Sequence, residues 1–130
     1  MKKVLIVEDN VSMRFLLERI FKESYNVRTA DDGLTAMMIL NKGFIPDIIV
    51  TDLNMPSING WELISYLKKS SLYGNVPIIA LSSHTVEELQ SQYPGLQIED
   101  NIKKPFEPKE LLIRVSTVLQ KVNHLTFISQ

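Results

Sequence analysis

The chain has 130 residues, 45% of them hydrophobic, which is the length of one domain with enough apolar side chains to bury about two thirds of the unfolded surface. It has no cysteine, which excludes a disulfide scaffold, a thiol nucleophile and a thiolate metal site. Fourteen basic residues against fifteen acidic ones leave a net charge of −1, without the basic excess of a direct nucleic-acid binder, and no apolar run approaches the roughly 18 residues of a membrane span.

In chain order, Val4–Val7 is a short apolar run that ends at Glu8-Asp9, too soon for a signal peptide, so a cytoplasmic domain is expected. Met13, Leu16, Leu17, Ile20 and Phe21 recur at three and four, which is one buried helix stripe. Tyr25–Ala30 alternates apolar with polar and reads as a strand with one wet face. Leu34–Leu40 reads as a helix closed by Gly43, and Asp47–Val50 as the next apolar strand. An Asn59-Gly60 turn opens a helix over Trp61–Leu67, and Tyr73, Gly74 and Asn75 form a loop before a strand at Val76–Leu81. A helix begins near Thr85, a weaker strand lies around Ile98–Ile102, and Pro108 opens a last helix carrying Leu111, Leu112, Val115, Leu119 and Val122. Residues 1–122 then form the domain, and 123–130 are a tail or the start of a linker.

Five strands alternating with five helices imply an α/β fold, a parallel sheet covered on both faces. Strands one, three and four are continuous Val/Ile/Leu, as fully covered strands are, whereas strands two and five are mixed, as edges are. The doubly wound order 2-1-3-4-5, flavodoxin-like, places the strands that way and puts a ligand site beyond their carboxyl ends, between strands one and three.

Those ends carry Glu8-Asp9, Thr51-Asp52, Ser82-Ser83 and Lys103-Lys104. Three carboxylates converging on one rim repel, which raises at least one pKa, and a hard divalent cation such as Mg²⁺ relieves the conflict. Ser82 and Lys104 are suited to hold phosphoryl oxygens, so the rim reads as a site for phosphoryl transfer onto a carboxylate, with Asp52 the nucleophile. There is no Gly-rich phosphate loop after strand one, and the acid pair there disfavours a flavin or dinucleotide.

Val7-Glu8-Asp9-Asn10, Asp52-Leu53-Asn54-Met55-Pro56 with Asn59-Gly60, Ala80-Leu81-Ser82 and Lys104-Pro105-Phe106 together resemble the signature set of response-regulator receiver domains, over roughly residues 2–121. The resemblance implies that Asp52 accepts a phosphoryl group from a phosphohistidine on a histidine kinase or histidine phosphotransfer protein. It further implies that Asp9, Asp52 and the Asn54 main-chain carbonyl bind Mg²⁺, with Glu8 acting through a metal-bound water. Ser82 and Lys104 would contact the acyl phosphate, and Lys104-Pro105 would be a cis peptide. Such a domain is a signalling switch acting on a downstream protein partner, with slow autodephosphorylation as its only chemistry, rather than an enzyme. It can stand alone or be part of a larger regulator or hybrid kinase. Its rival, an aspartyl-phosphate phosphatase of the haloacid-dehalogenase type, needs a second acid two residues after the nucleophile, where this chain has Asn54. Asn54 and His84 flank the expected path of an attacking water. One departure from the family stands out: Asn101 occupies a position, three residues before the lysine, where receivers usually have Tyr or Phe.

Overall fold

The structure, a computed structural model, describes residues 1–53 and 60–129, with side chains described through residue 122. Its elements follow as β1 (Lys3–Val7), α1 (Val11–Phe21), β2 (Asn26–Ala30), α2 (Gly33–Asn41), β3 (Ile48–Asp52), α3 (Gly60–Lys68), β4 (Ile78–Ser82), α4 (Val86–Gln92), β5 (Asp100–Lys103) and α5 (Pro108–Ser129). All strand pairings are parallel, in the order β2-β1-β3-β4-β5.

The burial pattern separates the strands as their composition implies. β3 and β4 are buried at every position and β1 at four of five, whereas β2 and β5 are mixed. Alternate strand residues feed two cores. Leu5, Val7, Ile49, Ile78 and Ala80 meet α2 and α3 through Ala36, Leu40, Leu63 and Leu67. Val4, Ile6, Ile48, Val50, Ile79 and Leu81 meet α1 and α5 through Leu17, Phe21, Leu111 and Val115. This period-two division is what lets one sheet carry a helical layer on each side.

Several boundaries differ from the sequence reading for identifiable reasons. β4 begins at Ile78 rather than Val76, because Pro77 has no N–H to donate and contributes only its carbonyl, which accepts from Ile49 N at 3.0 Å. β5 begins at Asp100 rather than Ile98, and the Glu99 carboxylate instead accepts the Ile78 N–H. Leu16, expected in the buried stripe of α1, is exposed, because the stripe centres on Met13, Leu17, Ile20 and Phe21 and Leu16 lies at its edge. Tyr73 is more than a loop residue: its ring is buried and its hydroxyl donates to the Leu40 carbonyl at 2.6 Å, pinning the α3–β4 connection to the end of α2. α5 runs on past Val122, the last residue of the stripe read from the sequence, to Ser129.

Candidate functional site

The sheet register builds the site. Val7 pairs with Thr51, Asp52 with Leu81, and Ser82 with Lys103, so the residues just past these positions share one rim. Glu8, Asp9 and Asp52 each offer a carboxylate oxygen, and these oxygens lie within 4.8 Å of one another. Glu8 is 1% exposed and Asp52 7% exposed, while Asp9 faces solvent. The Lys104 ammonium lies 3.0 Å from Glu8 Oε1 and 3.6 Å from Asp52 Oδ2, bridging the two buried acids. The expected convergence of three acids and a lysine is therefore present.

Local chemistry holds each acid in place. Asn10 caps α1, its Oδ1 accepting from Met13 N at 2.8 Å, so the chain turns into the helix immediately after the acid pair. The Asn10 N–H donates to Glu8 Oε2 at 3.2 Å, and one Arg14 guanidinium nitrogen donates to the Glu8 and Asp9 carbonyls at 3.0 and 3.4 Å. Arg14 is a brace that sequence reasoning missed. Its signal was a long cation in the first turn of the helix after the acid pair, close enough to reach back.

On β3, the Thr51 hydroxyl donates to the Asp52 carbonyl at 2.8 Å. Gly60, read from sequence as part of a turn, is the first residue of α3, and its N–H donates to the Leu53 carbonyl at 3.1 Å. A Cβ at Gly60 would lie 2.1 Å from the Asp52 carbonyl oxygen and 2.7 Å from Leu53 Cα. Only glycine lets the start of α3 press this closely on the backbone of Asp52. Asn54, whose carbonyl the resemblance assigns to the metal, lies outside the described residues.

Burial is the largest influence on the Glu8 carboxyl and raises its pKa; the Lys104 and Asn10 hydrogen bonds oppose the rise and the Asp52 charge adds to it. The repulsion expected from the acid cluster acts on Glu8 in the expected direction, but it is a smaller influence than burial or the two hydrogen bonds. An all-oxygen donor set around a carboxylate held above its ordinary range fits a hard divalent cation, whose charge would remove the cost of ionising Glu8.

Ser82 is buried at the end of β4, and its carbonyl accepts from Lys104 N at 2.8 Å, tying the two strand ends together. Its hydroxyl oxygen accepts from His84 N at 2.9 Å and lies 3.3 Å from His84 Nδ1. Ser82 does not cap α4. That role belongs to Thr85, which forms a capping box with Glu88. His84, two residues beyond Ser82, is half-buried and contacts the serine. The Lys104-Pro105 bond is cis, as the resemblance implies.

The chain is thus a doubly wound parallel sheet with an acid cluster, a bridging lysine and a buried serine at its carboxyl rim. The description "Response regulator receiver domain" matches residues 4–116 of the chain, which belongs to that family. A probable transcriptional regulator, ycf27, of Guillardia theta is 36% identical over 131 residues, covering 98% of this chain and 49% of its own length. The chain spans about half the length of such curated relatives. Among solved structures, the Vibrio cholerae chemotaxis protein CheY4 matches with a TM-score of 0.84 at 32% identity, covering 91% of this chain and 98% of that one. The receiver domain of the sensor histidine kinase PA1611 of Pseudomonas aeruginosa, with magnesium coordinated in its active-site cleft, matches with a TM-score of 0.78 at 25% identity, covering 92% and 95%. No helix among the described residues is long and apolar enough to cross a membrane.

Proposed function

We propose that the chain is a phosphorylation-driven signalling switch in which Asp52 takes a phosphoryl group from a phosphohistidine on a histidine kinase or histidine phosphotransfer protein. The observation that carries this reading is the bridging of Glu8 and Asp52 by the Lys104 ammonium at 3.0 and 3.6 Å, inside a cluster that also offers Asp9. In the transfer, an Asp52 carboxylate oxygen bonds to phosphorus while the phosphorus–nitrogen bond of the donor breaks, and the imidazole leaves with the electron pair. Lys104, already at the Asp52 carboxylate, neutralises the phosphoryl oxygens, and the Ser82 hydroxyl donates to one of them. Glu8, Asp9, Asp52 and the Asn54 carbonyl would hold Mg²⁺, which supplies charge neutralisation between the acid cluster and the incoming phosphoryl group.

The receiver unit is residues 1–122, with 123–130 a tail or linker. It acts in the cytoplasm on a protein partner rather than on nucleic acid, in keeping with its net charge of −1. Its own chemistry is limited to accepting the phosphoryl group and hydrolysing it slowly. Incubation with Mg²⁺ and a small acyl-phosphate donor, read by intact mass, tests this. One added phosphoryl group, labile to hydroxylamine and absent in Asp52→Asn, is expected; no adduct, or the same adduct in the variant, would refute it.

A further inference from the structure

The main chain of His84 is gripped at both ends. Its N–H donates to Ser82 Oγ at 2.9 Å, and its carbonyl accepts from Asn101 Nδ2 on β5 at 3.2 Å. Because a carbonyl only accepts, this contact fixes which way round the Asn101 amide lies. Its Oδ1 is then shielded from solvent and has no hydrogen-bond partner among the described residues. Asn101 is itself firmly placed: its carbonyl accepts from Arg114 of α5 at 3.0 Å, and that guanidinium is paired with Asp100 and Glu110.

Ser82 completes the arrangement. Its hydroxyl carries one proton, and His84 Nδ1 stands 3.3 Å from the oxygen. When the ring proton is on Nε2, His84 Nδ1 accepts, and it competes with a phosphoryl oxygen on Asp52 for the hydroxyl proton. The segment between Ser82 and α4 is short, and the Thr85–Glu88 capping box joins it directly to the helix. Movement at His84 therefore carries into α4. At the far end of that helix, the Tyr93 ring is stacked on Trp61, the only tryptophan in the chain, at 5.8 Å.

We propose that Asn101 is a positioning residue: its grip on the His84 carbonyl latches the β4–α4 loop in the arrangement that keeps the Ser82 hydroxyl on His84, and so opposes delivery of that hydroxyl to a phosphoryl group on Asp52. The latch rests on the function proposed above and adds its regulation. Releasing it favours the phosphorylated arrangement and alters the groove of about 220 Å³ between α4 and β5, where Val86, Leu89, Ile98 and Asn101 form part of the wall.

The test uses the full chain with Asn101→Leu, a near-isosteric side chain without a donor, and Asn101→Ala. Beryllium trifluoride, a phosphoryl mimic that attaches to a carboxylate oxygen, is titrated with Mg²⁺ present and followed by Trp61 fluorescence. Amide exchange of residues 83–86 is measured without the mimic. Loss of one hydrogen bond predicts affinity about two- to twelve-fold tighter in both variants, with faster exchange over 83–86. In a Ser82→Ala background the Asn101→Leu change should have no effect on affinity, because the latch acts through that hydroxyl. Faster exchange with unchanged affinity would reduce Asn101 to a structural contact and overturn the proposal, as would an effect that persists without Ser82. If the unsubstituted chain binds the mimic and the variants bind it equally, the latch alone fails. If the unsubstituted chain does not bind it, the phosphoryl reading fails and the latch falls with it.

Discussion

Replacing Gly60 with alanine tests whether the backbone of Asp52 is held by the close approach of α3. The new Cβ would be 2.1 Å from the Asp52 carbonyl oxygen, where real contacts keep at least 3.0 Å, so the two backbones must separate by about 0.9 Å. Overpacking of this kind costs about 1–3 kcal/mol, which lowers the melting temperature by about 4–12 °C at roughly 4 °C per kcal/mol for a domain of this size. Chemistry should suffer more than stability, since a misplacement of about 1 Å at a reacting group costs on the order of 100-fold in rate. The assay is the rate of acyl-phosphate-dependent mass gain beside a thermal melt. Gly74→Ala is the control: its Cβ would meet the Ser70 carbonyl at 2.6 Å, so it should lower the melting temperature while leaving phosphoryl acceptance intact. If Gly60→Ala accepted phosphoryl groups at the unsubstituted rate, the positioning argument would be wrong.

Three further outcomes are expected. Burial, aided by the Asp52 charge, holds the Glu8 carboxyl above its ordinary range, so the metal-free fold keeps a proton there that the unfolded chain has already lost. Stability from this group is therefore full below the unfolded glutamate range and falls as pH rises through the raised folded value. The melting-temperature advantage of Glu8→Gln in EDTA should grow from acid pH toward neutrality, and a pH-independent difference would contradict the sign. Mg²⁺ at 100 times its dissociation constant should add about 2.7 kcal/mol, roughly 10 °C by the same conversion; Asp9→Asn, at an exposed position, should lose most of that gain while melting normally in EDTA. Tyr73→Phe removes the 2.6 Å bond to the Leu40 carbonyl, which also accepts from Gly43 N at 3.0 Å, so a loss of about 1 kcal/mol is expected by thermal or urea unfolding.

Strand order was legible because burial on two faces writes itself into composition: Val4–Val7 and Ile78–Leu81 are uninterrupted apolar runs, whereas Asn26–Ala30 alternates. The rim acids were legible once that order was known, since parallel strands bring their carboxyl ends together. What stayed hidden depends on the path of the main chain. Nothing in a run of letters says that the start of α3 presses on the Asp52 carbonyl, that Arg14 folds back onto the Glu8 and Asp9 carbonyls, or that the Tyr73 hydroxyl reaches Leu40. Asn101 was visible as a departure from the family, but its grip on His84 belongs to the geometry of β5 against the β4–α4 loop.

An acyl phosphate on Asp52 can be trapped by borohydride reduction. Reduction converts a phosphorylated aspartate to homoserine, and peptide mapping then locates it. With a phosphohistidine donor protein and Mg²⁺, homoserine is expected at position 52 and nowhere else. Homoserine at Asp9 or another acid, or none at all under conditions where the donor loses its phosphoryl group to this chain, would contradict it.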